Sequence, residues 1–218
     1  MKVLDLFCGA GGASTGYHRA GFEVTGIDVK HGKRYPFKYL RLDVRELQPS
    51  DLAEYDLIHA SPPCQTHSIT RNLRIAQGNS TSKLDLLEPT RKLLEASGKP
   101  YIIENVPGAP LINPVQLCGS SFKLKVRRHR HFESNMKLVG SICNHKEQGK
   151  PVGVYGAMND TAQGLDKTTG KYVIGGSTAK TIEEAREAMG IDWMIWGELV
   201  EAIPPVYTEY LGRQVQLL

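Results

Sequence analysis

Residues 2–12 read KVLDLFCGAGG, and this stretch decides the fold. Residues 2–7 have the apolar character of a buried strand, and a glycine-rich turn follows them. The pattern then predicts a helix at residues 14–20 and a second strand at residues 22–28. A strand, a helix and a strand in this order predict two parallel strands joined by a crossover helix.

The same alternation continues to about residue 107. Further strands are predicted at residues 39–42, 56–60 and 101–106, and helices at residues 48–54 and 83–96. We therefore predict an α/β fold with a Rossmann-like, doubly wound and mostly parallel sheet.

Beyond residue 107 the sequence changes character. Gly, Pro, Asn and Ser interrupt short segments, and residues 134–180 show little helical periodicity, which predicts loops and short strands. A helix is predicted at residues 181–190, which begin with a capping-box pattern. A last short helix is predicted at residues 198–202 and is expected to stop at Pro204 and Pro205.

The composition is that of a soluble protein with one ordinary domain. The 218 residues carry a net charge of +4, and no run reaches the roughly 18 apolar residues of a membrane span. Asp5 interrupts the apolar amino terminus, which argues against a secretory signal, so a cytoplasmic location is expected. Seven basic side chains lie between Lys123 and His131 and would suit a polyanion, although an ordinary solvated basic face has the same pattern.

The four cysteines are Cys8, Cys64, Cys118 and Cys143, and no C-x-x-C pair occurs among them. Neither a disulfide framework nor a common zinc signature is therefore predicted. A zinc site built from Cys118, Cys143 and His145 with His129 or His131 can be imagined, but its spacing matches no common template. No metal is expected.

The glycine-rich turn and a later acid suggest a nucleotide-like ligand. Gly9, Gly11 and Gly12 would let a ligand approach the backbone, and Asp28 ends the second strand 19 positions after Gly9, where a carboxylate can accept hydrogen bonds from ribose. The third spaced glycine of a dinucleotide site and the Gly-Lys-Ser/Thr of an ATPase are both missing. S-adenosylmethionine fits better, although the glycines alone could form a simple tight turn.

Several motifs occur along the chain in an order that resembles the DNA cytosine-5 methyltransferase family. They are Asp5-Leu6-Phe7-Cys8-Gly9-Ala10-Gly11-Gly12, Pro62-Pro63-Cys64-Gln65, Glu104-Asn105-Val106, Arg128-His129-Arg130, the segment from Thr181 to Gly190, and Ala202-Ile203-Pro204-Pro205. The resemblance covers nearly the whole chain and implies a class I S-adenosylmethionine-dependent methyltransferase.

The resemblance also implies the site residues. Cys64 would attack C6 of cytosine, which makes C5 nucleophilic, and an inert buried cysteine is the alternative. Glu104 would bind ring N3 and the exocyclic amine, Gln65 and Asn105 would help to bind the substrate, and Arg130 and Arg128 would contact the base O2 or, equally well, phosphate. The residues implied for the cofactor are Phe7, Gly9, Gly11, Asp28, Asp43, Pro62 and Glu201. Asp43 could instead cap a helix.

The chain departs from the family pattern in three places. Val126 and Glu201 stand where the family usually has glutamine and asparagine, and Thr181 follows Arg130 by only 51 positions. This resembles a compact phage or bacterial member with a reduced target recognition region, of the kind found in restriction-modification. We predict a catalytic and cofactor-binding domain at 1–133, a short recognition and loop region at 134–180, and a carboxyl-terminal segment at 181–218 that returns to the catalytic domain.

DNA is the expected partner, with the target cytosine flipped out of the duplex and the enzyme acting as a monomer. Two other functions stay open at this point. One is the same chemistry on RNA or a free nucleotide, which the short recognition region allows. The other is a non-catalytic DNA-binding regulatory module, which the retention of Cys64, Glu104 and Arg130 disfavours.

Overall fold

The computed structural model describes residues 1–30, 32–63, 85–156, 163–165, 172–174 and 177–218. Cys64 and Gln65 lie outside the described residues, as does the start of the helix predicted at residues 83–96. Within the described ranges, no helix is long and apolar enough to cross a membrane.

A seven-stranded sheet forms the centre of the fold, and its strand order is β3-β2-β1-β4-β5-β7-β6. The five strands at one side pair in parallel, while β7 pairs antiparallel with both β5 and β6. The strands are β1 (Lys2–Leu6), β2 (Glu23–Asp28), β3 (Lys38–Arg41), β4 (Leu57–Ala60), β5 (Tyr101–Asn105), β6 (Val115–Leu117) and β7 (Arg130–Ser134). The predicted α/β fold with a mostly parallel, doubly wound sheet is confirmed.

Helices and smaller strand pairs complete the described fold. The helices are α1 (Gly12–Arg19), α2 (Leu87–Ser97), α3 (His145–Gln148), α4 (Ile182–Met189), α5 (Trp196–Glu201) and α6 (Pro205–Val215). The smaller pairs are β8 (Val152–Gly153) with β11 (Ser177–Thr178), which are parallel, and β9 (Gln163–Leu165) with β10 (Tyr172–Ile174), which are antiparallel.

One helix prediction was wrong, and one helix was not predicted. The helix expected at residues 48–54 is a single 3₁₀ turn, Pro49–Leu52, in which the Asp51 carboxylate accepts a hydrogen bond from the Gln48 amide. The short helix expected at residues 198–202 is α5 and ends before Pro204, but it is not the last, because Pro205 begins α6. A proline suits the first helical turn, because the backbone N–H groups there have no hydrogen-bond partner within the helix.

Apolar side chains alternate between the two faces of the sheet. In β1, Val3 joins a buried cluster with Tyr17 of α1 and Tyr207 of α6, whereas Leu4 and Leu6 pack with the cluster on the opposite face. Each such fully buried side chain contributes roughly 1.5–3 kcal/mol relative to an exposed one. The first cluster therefore holds α1 and α6 against one face of the sheet, and the second holds α2 against the other face.

Close approach of α1 and α6 depends on a glycine. A Cβ atom at Gly16 would overlap the carbonyl oxygen of Pro205 and the hydroxyl of Thr208. Thr208 also donates from Oγ1 to the Ala13 carbonyl at 2.7 Å, which leaves it little freedom to move. By contrast, a Cβ atom at Gly197 in α5 would meet no atom within 4 Å.

Gly16→Ala is therefore expected to lower the free energy of unfolding by roughly 1–3 kcal/mol, the usual cost of overpacking a core. The matched variant Gly197→Ala should leave stability unchanged or raise it by about 0.5–1 kcal/mol, because alanine favours the helix. Urea unfolding of both variants measures the difference. Equal stability of the two variants would contradict the described packing.

Candidate functional site

The candidate site lies at the carboxyl ends of β1, β2, β4 and β5, the edge where α/β proteins usually bind ligands. Phe7, Gly9 and Gly11 follow β1 and all have positive φ angles, 62°, 53° and 86°. These left-handed conformations turn the chain sharply from β1 into α1. At Gly11 a side chain would also press on Tyr35 and Pro36, at 3.0–3.2 Å from an added Cβ atom.

Asp28 braces this turn from the end of β2. Its carboxylate accepts a hydrogen bond from the Gly9 amide at 3.0 Å through Oδ2 and one from the Lys30 amide at 2.9 Å through Oδ1. No described atom lies within 4 Å of the position a Cβ would take at Gly9. The backbone at Gly9 is thus open to a ligand while Asp28 fixes its direction.

An apolar cavity of about 170 Å³ lies beside Phe7. The residues that line it are Phe7, Val44, Arg45, Leu47, Leu86, Pro89, Thr90 and Leu93. Asp43 directly precedes this lining and caps a 3₁₀ turn, with its Oδ1 accepting from the Arg45 amide at 2.9 Å. Hydrogen bonds from Arg45 lower the pKa of Asp43, so this carboxylate stays ionised. Asp43 thus caps the 3₁₀ turn, and its contact with the adenine of a cofactor stays a prediction.

Glu104 and Arg130 form a contact at the junction of β5 and β7. Arg130 Nε lies 2.9 Å from Glu104 Oε1, and the Glu104 residue is only 6% exposed. Burial raises the pKa of Glu104, while the charges of Arg130 and Arg128 and a hydrogen bond from Ser61 oppose that rise. The carboxyl group is therefore easier to protonate than an exposed glutamate.

Asn105 connects the end of β5 with the segment that leads to Cys64. Its Nδ2 donates to the Pro62 carbonyl at 3.1 Å, and its Oδ1 accepts from the Val106 amide at 2.9 Å. Asn105 is buried, and so is Pro62. The entry to the Pro-Pro-Cys-Gln motif is therefore fixed beside Glu104. Cys64 and Gln65 themselves lie outside the described residues, and their roles stay predictions.

A buried polar network that the sequence did not reveal lies behind Glu104. Tyr17 Oη is 3.0 Å from His59 Nδ1, and His59 Nε2 is 2.9 Å from Ser61 Oγ. Burial lowers the pKa of His59 to about 3, so the imidazole is neutral. Ser61 in turn hydrogen bonds to Glu104. In the sequence, His59 looks like one more buried residue of β4. Its position two residues before Ser61 was the one sign that it could take part in a polar network.

Arg128 was predicted to contact the base, and the structure gives its guanidinium several backbone partners. It donates from Nε to Ala202 O at 2.8 Å and from Nη1 to Val154 O at 3.0 Å. Its Nη2 donates to Leu199 O at 3.2 Å and to Val200 O. These bonds satisfy carbonyls at the end of α5. Contact of Arg128 with a base stays a prediction.

Glu201, one of the predicted cofactor residues, lies at the surface. Its carboxylate lies 3.5 Å from Lys30 Nζ, and both side chains are largely exposed. This ion pair joins the end of α5 to the loop after β2. A weak surface pair of this kind is easily rearranged by a ligand.

The structure also gathers four side chains that the sequence reasoning set aside. Cys118, His129, Cys143 and His145 each bring one sulfur or nitrogen atom to a common centre, with all four atoms within 4.8 Å of one another. Their spacing follows no common zinc motif, so a metal site was considered from the sequence but not predicted. The only available signal was the mixture of two cysteines and two histidines in a short stretch.

Comparison with known proteins gives a family. Residues 1–113 match the family of C-5 cytosine-specific DNA methylases. The type II methyltransferase M.FnuDI of Fusobacterium nucleatum is 36% identical over 115 residues, covering 50% of this chain and 33% of that protein. M.HgiGI of Herpetosiphon aurantiacus is 32% identical over 123 residues, covering 51% of this chain and 94% of that protein. The chain thus spans about a third of the first relative and nearly all of the second.

Solved structures with the same fold extend along the whole chain. A protein described as a DNA modification methyltransferase encoded within an Escherichia coli prophage superimposes with a TM-score of 0.63 at 15% identity, covering 100% of this chain and 99% of that one. A Spodoptera frugiperda DNMT2 mutant gives a TM-score of 0.62 at 14% identity and 99% coverage of both chains. At such low identity these likenesses concern the fold.

Asp5 lies beneath the glycine turn and provides a test of the site's electrostatics. It is fully buried, its Oδ2 accepts a hydrogen bond from Ser14, and its Oδ1 has no partner among the described residues. Burial raises the pKa of Asp5 from 3.8 to about 7. Between these two pH values the unfolded chain releases a proton that the folded chain keeps, so rising pH favours unfolding.

The Asp5 contribution to wild-type stability should therefore fall as the pH rises from about 4 to about 7, by about 1.4 kcal/mol for each unit by which folding raises the pKa of Asp5. The lowered pKa of the buried His59 acts in the opposite direction in both proteins, so the effect of Asp5 is the difference between the wild-type and Asp5→Asn profiles. Asp5→Asn should gain stability relative to the wild type as the pH rises and be the more stable protein at neutral pH. Asp192→Asn changes an exposed carboxylate and is the control. Urea unfolding across this pH range measures the effect. An Asp5→Asn profile that parallels the wild type would show that Asp5 is ionised in the folded protein.

Proposed function

This chain belongs to the C-5 cytosine-specific DNA methylase family, as the order of its motifs predicted, and we propose that it transfers a methyl group from S-adenosylmethionine to C5 of cytosine in DNA. The observation that carries the proposal is the buried Glu104–Arg130 contact beside Pro62, where the Pro-Pro-Cys-Gln motif begins. A carboxyl group, a guanidinium and the approach to a cysteine converge there. That set suits a pyrimidine ring that must be held and attacked.

The residues at the ends of β1 and β2 fit S-adenosylmethionine. The Asp28 carboxylate stands where ribose hydroxyls would bind, and the open space above Gly9 allows a ligand close to the backbone. The apolar cavity beside Phe7 suits the adenine ring, with Asp43 next to its lining. When bound, S-adenosylmethionine supplies an electrophilic methyl group on its sulfonium sulfur. Glu201 and Lys30 lie at the exposed side and would meet its amino acid end.

Cys64 is the proposed nucleophile. Cytosine C5 alone is too weakly nucleophilic to take a methyl group, so the Cys64 thiolate first forms a bond to C6 and the ring electrons shift to C5. After methylation, removal of the C5 proton re-forms the ring double bond and breaks the bond to Cys64. The Asn105 hydrogen bond to Pro62 supports this role, because it fixes the backbone two residues before the thiol.

Glu104 assists the addition by sharing a proton with ring N3. Negative charge accumulates on the ring as the thiolate attacks C6, and a proton at N3 neutralises it. The raised pKa of the buried Glu104 favours the protonated form that can donate. Arg130 Nε lies 2.9 Å from Glu104 Oε1 and fixes the position of this carboxyl group. The same guanidinium would also contact the base O2. Arg128 would act behind Arg130 as a positioning residue, through its bonds to α5.

A cytosine in duplex DNA must leave the base stack before a buried group such as Glu104 can reach it. We therefore propose base flipping into the space between the strand ends and the arginine segment. Lys123, Lys125 and Arg127 lie close to this segment along the chain and would neutralise phosphates. The short region at 134–180 would give a short or relaxed recognition sequence.

The covalent step is tested with DNA that carries 5-fluorocytosine at the target position. Fluorine at C5 cannot leave as a proton does, so wild-type enzyme with S-adenosylmethionine should form an adduct that survives denaturation. Cys64→Ala should form none, and the same DNA with ordinary cytosine is the substrate control. Bisulfite mapping of methylated DNA gives the target sequence. Methylated product without any trapped adduct, or an adduct formed by Cys64→Ala, would contradict the role of Cys64.

The polymer is tested in the same assay with labelled S-adenosylmethionine. Duplex DNA, single-stranded DNA, tRNA and free cytidine nucleotides are offered separately. We expect transfer to DNA. Transfer to tRNA or nucleotides without transfer to DNA would replace the DNA assignment while keeping the chemistry, and binding of DNA with no transfer to any substrate would leave a regulatory module.

A further inference from the structure

We propose that Cys118, His129, Cys143 and His145 bind one structural zinc ion. Two thiols and two imidazoles with their ligand atoms within 4.8 Å of one another form a complete set for a tetrahedral site. Sulfur and nitrogen ligands in such a set select zinc over the oxygen-preferring cations Mg²⁺ and Ca²⁺. Because the four protein ligands leave no position for water or substrate, the site would be structural.

The distances within the cluster fit a shared metal ion. Cys118 Sγ lies 3.3 Å from His145 Nε2, and Cys143 Sγ lies 3.4 Å from His129 Nε2. Zinc bonds of about 2.3 Å to sulfur and 2.0–2.1 Å to nitrogen place neighbouring tetrahedral ligands roughly 3.3–3.8 Å apart. The two imidazole rings are tilted by 42° with centroids 5.2 Å apart, so both present Nε2 without stacking face to face.

The β6–β7 hairpin positions two of the ligands. Leu117 pairs with Arg130 across the antiparallel ladder, so the next residues outward, Cys118 and His129, stand opposite each other. Cys118 is fully buried at the start of a 3₁₀ turn, Gly119–Phe122. These ligands thus come from adjacent ends of two strands, which is a rigid arrangement.

The segment after β7 returns to supply the other two ligands. The Ser141 amide donates to the Gln116 carbonyl at 2.9 Å, and Ser121 Oγ donates to the Ile142 carbonyl at 2.6 Å. The Asn144 amide donates to Ser120 Oγ at 2.9 Å. Cys143 and His145 therefore reach the hairpin through fixed backbone contacts on both sides of the cluster.

Neighbouring polar groups complete the surroundings that thiolate ligands need. Gln116 Nε2 donates to Cys143 Sγ at 3.7 Å, and Ser120 Oγ lies 3.0 Å from Cys118 Sγ. Gln116 Oε1 in turn lies 3.2 Å from His131 Nε2, which fixes the amide. Hydrogen bonds of this kind orient metal ligands and stabilise their charged form.

The zinc would act on the arginine segment, because His129 stands between Arg128 and Arg130. A metal bond at His129 would fix the chain at the residue before Arg130, whose Nη1 donates to the His129 carbonyl at 2.9 Å. Cys118 and His129 lie at the end of the hairpin, Cys143 lies in the loop before α3, and His145 begins α3, so the ion would connect the hairpin to α3 and to that loop. This role does not depend on methyl transfer.

Metal content of the purified full-length chain, without a histidine tag, tests the proposal. Inductively coupled plasma mass spectrometry should find about one zinc ion per chain. Cys143→Ser and His145→Gln should reduce this at least several-fold, whereas His145→Cys should retain it because cysteine is also a ligand. Cys8→Ser and His18→Gln remove a thiol and an imidazole outside the cluster and should keep the wild-type content.

Cobalt substitution of the wild-type chain gives a measurement that needs no variant. Co²⁺ at a tetrahedral site with two thiolates absorbs strongly in the visible range and adds a thiolate-to-metal band in the near ultraviolet. Removal of the metal by a chelator should also lower the thermal midpoint by roughly 5–10 °C. The proposal would be overturned by zinc-free protein that takes up neither zinc nor cobalt, or by equal metal content in the wild type and Cys143→Ser. The four side chains would then form a hydrogen-bonded cluster of thiols and imidazoles without a metal ion.

Discussion

The buried contact between Glu104 and Arg130 is the interaction on which the site depends. A carboxylate that is 6% exposed is costly without a partner, and β7 supplies that partner by pairing antiparallel with β5. The same strand leads back to Arg128, which binds carbonyls at the end of α5. One short segment thus joins the carboxyl edge of the parallel strands to the carboxyl-terminal helices, and the charges of its Arg130 and Arg128 oppose the rise that burial causes in the pKa of Glu104.

In the proposed reaction the remaining parts of the site would serve two needs, an open side for the cofactor and a fixed side for the nucleophile. On the cofactor side the turn after β1 keeps its backbone accessible at Gly9, with Asp28 as the brace. On the nucleophile side, Asn105 holds Pro62, and the network from Tyr17 through His59 to Ser61 supports Glu104 from behind. The neutral His59 suits this place because a charged imidazole there would be desolvated without a countercharge.

Sequence patterns predicted the part of the fold that rests on local order. The β1 strand, its glycine turn and the parallel strands with their apolar runs follow from hydrophobic periodicity, and the motif order identified the family. The pattern missed α6, since Pro205 looked like a stop and proved to be a first-turn residue. The cluster of Cys118, His129, Cys143 and His145 was conceivable from the sequence but was set aside, because its spacing matches no common zinc motif. Pairing of β6 with β7 and the backbone contacts of the segment after β7 bring the four side chains together.

In the proposed reaction, methyl transfer occurs at C5 after the thiolate has activated the ring at C6. DNA labelled with tritium at cytosine C5 tests this order of events, when methyl transfer from S-adenosylmethionine and tritium release into water are counted in one reaction. About one tritium should be released for each methyl group transferred, since the C5 hydrogen must leave to restore the ring. Methyl transfer with the tritium retained would mean methylation at another atom, such as the exocyclic nitrogen, and would rule out this mechanism.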